Sequence, residues 1–148
     1  MPDPANTLER LRTGISTRSC QETRELGRKL GAILPDNSVL ALPGDLGSGK
    51  TTFVGGLADA LGIQQAVTSP TYNIYNLYQG TRQLVHIDAY RLDEHDHADS
   101  LMIEDVLQEP WVMVVEWPER FPPSWLKSAL WLRFTFVDEH TRHLKLEA

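Results

Sequence analysis

Gly44-Asp45-Leu46-Gly47-Ser48-Gly49-Lys50-Thr51 is the stretch on which the reading of this chain turns. It fits the pattern Gly-x-x-x-x-Gly-Lys-Ser/Thr, and each position answers a physical demand. Glycines let the backbone curl until successive N–H groups face one point, which makes a concave anion site. A helix that starts near Lys50 adds its positive end to the same point. The Lys50 ammonium then reaches the β- and γ-phosphates of a nucleotide, and the Thr51 hydroxyl ligates Mg²⁺. The predicted phosphate cradle is Leu46, Gly47, Ser48, Gly49, Lys50, Thr51 and Thr52, and the predicted cofactors are ATP and Mg²⁺. The plainer alternative is a Gly-rich turn before an ordinary helix. The flanks decide against it: an apolar strand, Val39 to Leu42, runs straight into Gly44. On the far side Phe53, Leu57 and Leu61 recur at a spacing of four, the face of a helix over Lys50 to Leu61 that Gly62 stops.

Working outward, Ser19 and Glu22 have the spacing of a capping box, in which each side chain satisfies an orphan N–H at a helix start. Leu26, Leu30, Ile33 and Leu34 lie on one face of that helix, and Pro35 ends it. Residues 1–7 read as a frayed tail and Leu8 to Ile15 as a first strand. Tyr72 to Tyr78 and Gln83 to Asp88, rich in aromatic and β-branched residues, flank Gln79-Gly80-Thr81-Arg82 as a hairpin. An acidic loop and a weakly patterned helix, roughly Ala98 to Leu107, follow. Trp111 to Glu116 is a buried strand, and Ala129 to Phe136 pairs with Arg142 to Glu147. The expected fold is therefore α/β, one P-loop NTPase domain over residues 1–148. Its hairpins make the sheet mixed, with flanking helices and a closing C-terminal hairpin.

Composition sets the outer limits. The chain has 148 residues, 41% hydrophobic and 23% charged, as an ordinary globular domain does. Its net charge of −6 argues against direct binding to DNA or RNA, which needs clustered Lys and Arg. A tRNA role would have to run through a partner. The lone Cys20 suits a reducing cytoplasm. No signal peptide is visible at the start, and the longest strongly apolar run, Val112 to Val115, is far short of a membrane span. A cytoplasmic protein with no membrane partner is expected.

A P-loop needs an acid to position the metal shell and the attacking water. Two stand at strand ends, where ligands sit in open α/β sheets. Glu116 closes Trp111-Val112-Met113-Val114-Val115, and Asp88 closes Leu84-Val85-His86-Ile87. The alternative for either is a solvated carboxylate after a strand. Thr68-Ser69-Pro70-Thr71 lies where NTPases place a loop that senses the γ-phosphate, although a plain turn has the same composition. Asp93-Glu94-His95-Asp96-His97-Ala98-Asp99 reads as a solvated acidic loop, since such a run gives no fixed ligand geometry. Trp117 is either a sensor, an interface anchor or a buried ring closing the sheet.

Four segments come in a telling order: Gly44 to Thr52, Thr68-Ser-Pro-Thr-Tyr72, His86-Ile-Asp-Ala-Tyr-Arg-Leu92 and Val115-Glu-Trp-Pro-Glu119. Together they closely resemble the TsaE (YjeE) family, small bacterial ATPases required for threonylcarbamoyladenosine formation in tRNA. The resemblance covers roughly residues 15 to 136. It implies an ATPase that works with TsaB and TsaD, slow alone and stimulated by those partners. It also implies that Thr51 and Glu116 bind magnesium, with Glu116 contacting the nucleotide too. Asp88, Glu116 and Thr71 become the catalytic candidates, and Trp117 matches the Trp of the Glu-Trp-Pro signature. The start of the opening helix, at Ser19 and Cys20, would lie near the nucleotide base. Met102 departs from the Gly of many relatives and leaves the acidic loop and the following helix open. The rival readings are a small-molecule kinase, with Asp88 as the base toward a substrate hydroxyl, and a nucleotide-dependent switch without turnover. No Asn-Lys-x-Asp guanine signature occurs in the chain.

Overall fold

The structure is a computed structural model that describes residues 4–44, 49–68, 74–91 and 103–147. Leu46, Gly47, Ser48, Thr71, Met102 and the acidic segment from Asp93 to Asp99 lie outside the described residues.

Seven strands form one sheet in the order β1-β7-β6-β2-β5-β4-β3. They are β1 (Ile15–Thr17), β2 (Ser38–Leu42), β3 (Tyr75–Tyr78), β4 (Gln83–Asp88), β5 (Trp111–Glu116), β6 (Leu130–Phe136) and β7 (Arg142–Glu147). The four in the middle, β6, β2, β5 and β4, are mutually parallel, while β3, β7 and β1 pair antiparallel at the flanks. The helices are α1 (Pro4–Thr13), α2 (Cys20–Ile33), α3 (Lys50–Ala60) and the short α4 (Ile103–Val106). Among the described residues no helix is long and apolar enough to cross a membrane.

Period-two alternation divides the sheet's side chains between two cores. Leu40 and Leu42 of β2, Leu84 of β4, and Val112 and Val114 of β5 pack with α1, α2 and α3 on one face. Ala41, Val85, Ile87, Met113 and Val115 pack on the other, against Ile103 of α4 and against Phe121 and Leu126 of the segment after β5. Burial on both faces is why β5 reads as an unbroken apolar run.

The mixed sheet, the strand–loop–helix path from β2 to α3 and the closing β6–β7 hairpin are as expected. Several boundaries move. The described N-terminal stretch is helical: α1 covers Pro4–Thr13, in place of the expected strand over Leu8 to Ile15 and of the described part of the expected tail. Leu8 and Leu11, three apart, place their side chains on the core side, Leu11 fully buried. The Gly14 N–H donates to Arg10 O and closes the helix, and the strand begins only at Ile15. In the first hairpin β3 starts at Tyr75, and the described part of the weak helix is Ile103–Val106 alone.

Helices α2 and α3 approach until backbones touch. A Cβ on Gly56 would lie 1.9 Å from Arg24 O, and one on Gly27 would lie 2.1 Å from Phe53 O. Helix propensity by itself would favour Ala over Gly by about 1 kcal/mol. The clash is with backbone, which no rotamer change relieves, so overpacking of about 1–3 kcal/mol or more decides the sign. Gly56→Ala is expected to lower the thermal midpoint by roughly 4–10 °C. A midpoint unchanged or raised would show that the two helices are not packed this closely.

Candidate nucleotide-binding site

The starts of α2 and α3 and the carboxyl ends of β2, β4 and β5 face one cleft of ≈ 500 Å³. The parallel register explains this: Leu42 is opposite Glu116, and Asp88 is opposite Glu116, so three strand ends finish level. Parity fixes the face. Asp88 follows Leu84 and His86 at steps of two, and Glu116 follows Val112 and Val114, so both carboxylates emerge on the face that carries α3.

Gly49 is the N-cap of α3, with φ 95° in the left-handed region that favours glycine and with no side chain capping the helix. The N-terminus of an eleven-residue helix thus opens on the cleft, and a helix start is a place that binds anions. Lys50, only 5% exposed, lies beside them. Its Nζ donates to Gly44 O at 3.0 Å and sits 5.2 Å from the centre of the Trp117 ring. Among the described residues no carboxylate pairs with it. A buried ammonium whose partners among the described residues are a carbonyl and a ring face fits a phosphate-binding role, since buried charges are ordinarily paired. Thr51 and Thr52 follow on the same helix and line the cleft.

Glu116 is buried, 6% exposed, and its Oε2 lies 2.5 Å from His86 Nε2. Asp88 is half-buried, and its carboxylate accepts from the Tyr90 N–H at 3.0 Å, pinning the turn that follows β4. Trp117 adopts φ 57°, ψ 52°, a left-handed conformation that a bulky residue takes only when its surroundings enforce it. Its ring packs 5.0 Å from that of Tyr90, and the Arg120 guanidinium lies 5.1 Å from the Tyr90 ring on the outside. Arg120 Nη1 also donates to Tyr90 O at 2.6 Å. A continuous stack therefore runs from buried Lys50 through Trp117 and Tyr90 to the surface.

The start of α2 and the β6–β7 turn also line the cleft, with Thr23 and Arg142 close to Gly49. Ser19 caps α2, its Oγ accepting from the Glu22 N–H at 3.1 Å, while Glu22 accepts from the Arg18 N–H at 3.2 Å, one residue short of a reciprocal capping box. Cys20, exposed, begins the helix at the cleft wall. The β6–β7 turn brings Glu139, His140 and Arg142 to the same space. Asp138 holds that turn: its carboxylate is lowered from the usual range, first by the His140 backbone N–H and then by the Thr141 hydroxyl. Arg142 stacks its guanidinium 4.5 Å from the Phe136 ring centre.

Of the residues expected from sequence, Cys20, Gly49, Lys50, Thr51, Thr52, Asp88 and Glu116 meet at this cleft. Sequence reasoning missed the contact of His86 with Glu116, although one polar residue inside the apolar run of β4, two before Asp88, was a legible signal. It also missed the β6–β7 turn, which nothing local in that segment marks. No group of three His, Cys, Asp or Glu among the described residues is set to hold a metal. A magnesium ion here would take most of its shell from phosphates and water, as that ion commonly does.

A glycine-opened helix N-terminus after a central parallel strand, with a buried lysine and level strand-end carboxylates, defines a P-loop nucleotide-binding protein. Comparison with known proteins narrows this class. Residues 17–144 match the family model described as "Threonylcarbamoyl adenosine biosynthesis protein TsaE". A Nostoc protein called tRNA threonylcarbamoyladenosine biosynthesis protein TsaE is 36% identical over 140 residues, covering 90% of this chain and 85% of that one. A Treponema pallidum protein of the same name is 40% identical over 104 residues, 70% of this chain and 77% of that one. The crystal structure of Bacillus subtilis YdiB superposes with a TM-score of 0.67 at 27% identity, covering 90% of this chain and 82% of that one. The chain belongs to the TsaE family, whose role is in tRNA threonylcarbamoyladenosine biosynthesis.

Proposed function

We propose that this chain binds ATP with Mg²⁺ and hydrolyses it as the energy-using component of the tRNA threonylcarbamoyladenosine machinery, in complex with TsaB and TsaD. The observation that carries the reading is the level placement of Asp88 and Glu116 beside each other at the end of β4 and β5, facing the N-terminus of α3 and Lys50. Bound magnesium supplies charge neutralisation on the phosphate oxygens. The chain's own residues do the rest. Lys50 exchanges Gly44 O for phosphate oxygens, and the positive end of α3 faces the same anion. Thr51 and Glu116 orient the metal shell. Asp88 accepts a hydrogen bond from the attacking water and aligns it, and Thr71, the last residue of the expected switch loop, senses the γ-phosphate. Cys20 and Ser19 stand on the wall nearest the base. Trp117 shields Lys50 from water.

Slow turnover alone is expected, with a partner surface completing the site as activators do for switch loops. Direct tRNA contact is left to the partners, because a net charge of −6 disfavours it. The test measures phosphate release by the chain alone and with the TsaB–TsaD pair from the same organism. A severalfold rise is expected, and the pair without this chain should stall after limited tRNA modification. Rapid phosphate transfer from ATP to a small metabolite, indifferent to the pair, would replace this reading with a kinase.

A further inference from the structure

We infer that His86 is a positioning residue for Glu116, donating its Nε2–H to Oε2 and so leaving Oε1 as the carboxylate oxygen that serves the metal shell. The inference rests on the magnesium-dependent reading above and adds a residue to it.

Three observations carry it. His86 is fully buried on β4, on the face that carries α3. Its Nε2 lies 2.5 Å from Glu116 Oε2, closer than an ordinary N–H···O hydrogen bond, so a proton must lie between the two atoms. Its Nδ1 is buried with no hydrogen-bond partner among the described residues. Orphaned buried N–H groups are rare, whereas an acceptor left over is better tolerated. The neutral ring with its hydrogen on Nε2 therefore satisfies the site, and the ring becomes the donor to Glu116. Register explains the reach: His86 is opposite Val114 on the neighbouring parallel strand, and Glu116 stands two residues further along the same face.

A carboxylate on a flexible side chain offers either oxygen in several rotamers. One held at Oε2 by a rigid, buried ring offers a single oxygen in one direction. Supporting groups of this kind ordinarily change metal affinity by about 10–100-fold when removed.

The experiment titrates a non-hydrolysable ATP analogue into the full chain in EDTA and across a magnesium series, for wild type, His86→Leu and His86→Gln. Leu keeps the volume and loses the donor, while the Gln amide places a donor near the position of Nε2. His86→Leu is expected to raise the magnesium midpoint by about tenfold, with affinity in EDTA unchanged, and His86→Gln to recover most of the loss. Long-range imidazole ¹H–¹⁵N spectra of the nucleotide-free wild type supply a second readout: a neutral ring with hydrogen on Nε2, whose signal shifts in Glu116→Gln. The inference is overturned by a ring with hydrogen on Nδ1. It is equally overturned by an unchanged magnesium midpoint in folded His86→Leu, or by Gln and Leu failing alike, which would mark a packing role. If His86→Leu does not fold, the ring's spectrum and the Gln variant decide. Wild-type binding that ignores magnesium would overturn the functional reading itself, a result distinct from a normal wild type with an unaffected variant.

Discussion

Lys50→Ala is expected to weaken binding of the magnesium–ATP complex by more than about tenfold while leaving the thermal midpoint unchanged or raised. Charge-assisted contacts are worth roughly 1.5–3 kcal/mol, and each 1.4 kcal/mol is a factor of ten. The structural side of the prediction comes from the environment of the ammonium. It is 5% exposed, and among the described residues one carbonyl and one aromatic face hold it. Removing it relieves a desolvation cost in the empty protein, and Ala is the best helix former at the first position of α3. The pairing of lost affinity with retained stability separates a ligand-binding lysine from a structural one, for which both would fall. Calorimetric titration and thermal unfolding of the same preparation measure the two quantities. Unchanged affinity in the folded variant would remove the P-loop assignment from this site.

The second large effect separates the two carboxylates. Asp88→Asn is expected to leave ATP affinity within about threefold and to lower turnover by about 10²–10⁴-fold, the range of a positioned acid–base group. The fold should tolerate it, because the Asn oxygen still accepts from the Tyr90 N–H and the turn after β4 stays in place. A loss confined to turnover means an interaction made only in the transition state. Glu116→Gln should instead lower magnesium-dependent binding and turnover together, since the amide can still accept from His86 but carries no charge for the metal. Exchanged phenotypes would exchange the roles. Full turnover in both variants would place the essential acid elsewhere.

What the sequence by itself determined is local. The motif from Gly44 to Thr51 is eight consecutive residues, so its identity, the strand before it and the helix after it need no knowledge of the rest of the chain. The cap of α2 at Ser19 and Glu22 is equally local, as are the acids that close β4 and β5. The chemistry of the protein was legible because it is concentrated at these ends of elements. The misreading of α1 as a strand has a matching cause: eight residues with two leucines three apart give too short a sample to fix a period.

Only the tertiary structure decided how those pieces meet. Asp88 and Glu116 are far apart in sequence, and nothing in either strand states that β4 lies parallel beside β5 with their ends level. Both strands are buried on both faces, so period-two alternation, which would tell a half-exposed strand which face is inward, falls silent. For that reason the sequence could name Glu116 and Asp88 but could not place His86 against Glu116. It could not bring the β6–β7 turn to the cleft, or set the ring of Trp117 over Lys50. These contacts follow from the sheet order and strand register, which packing on both faces selects. Short-range propensity along the chain carries no record of them.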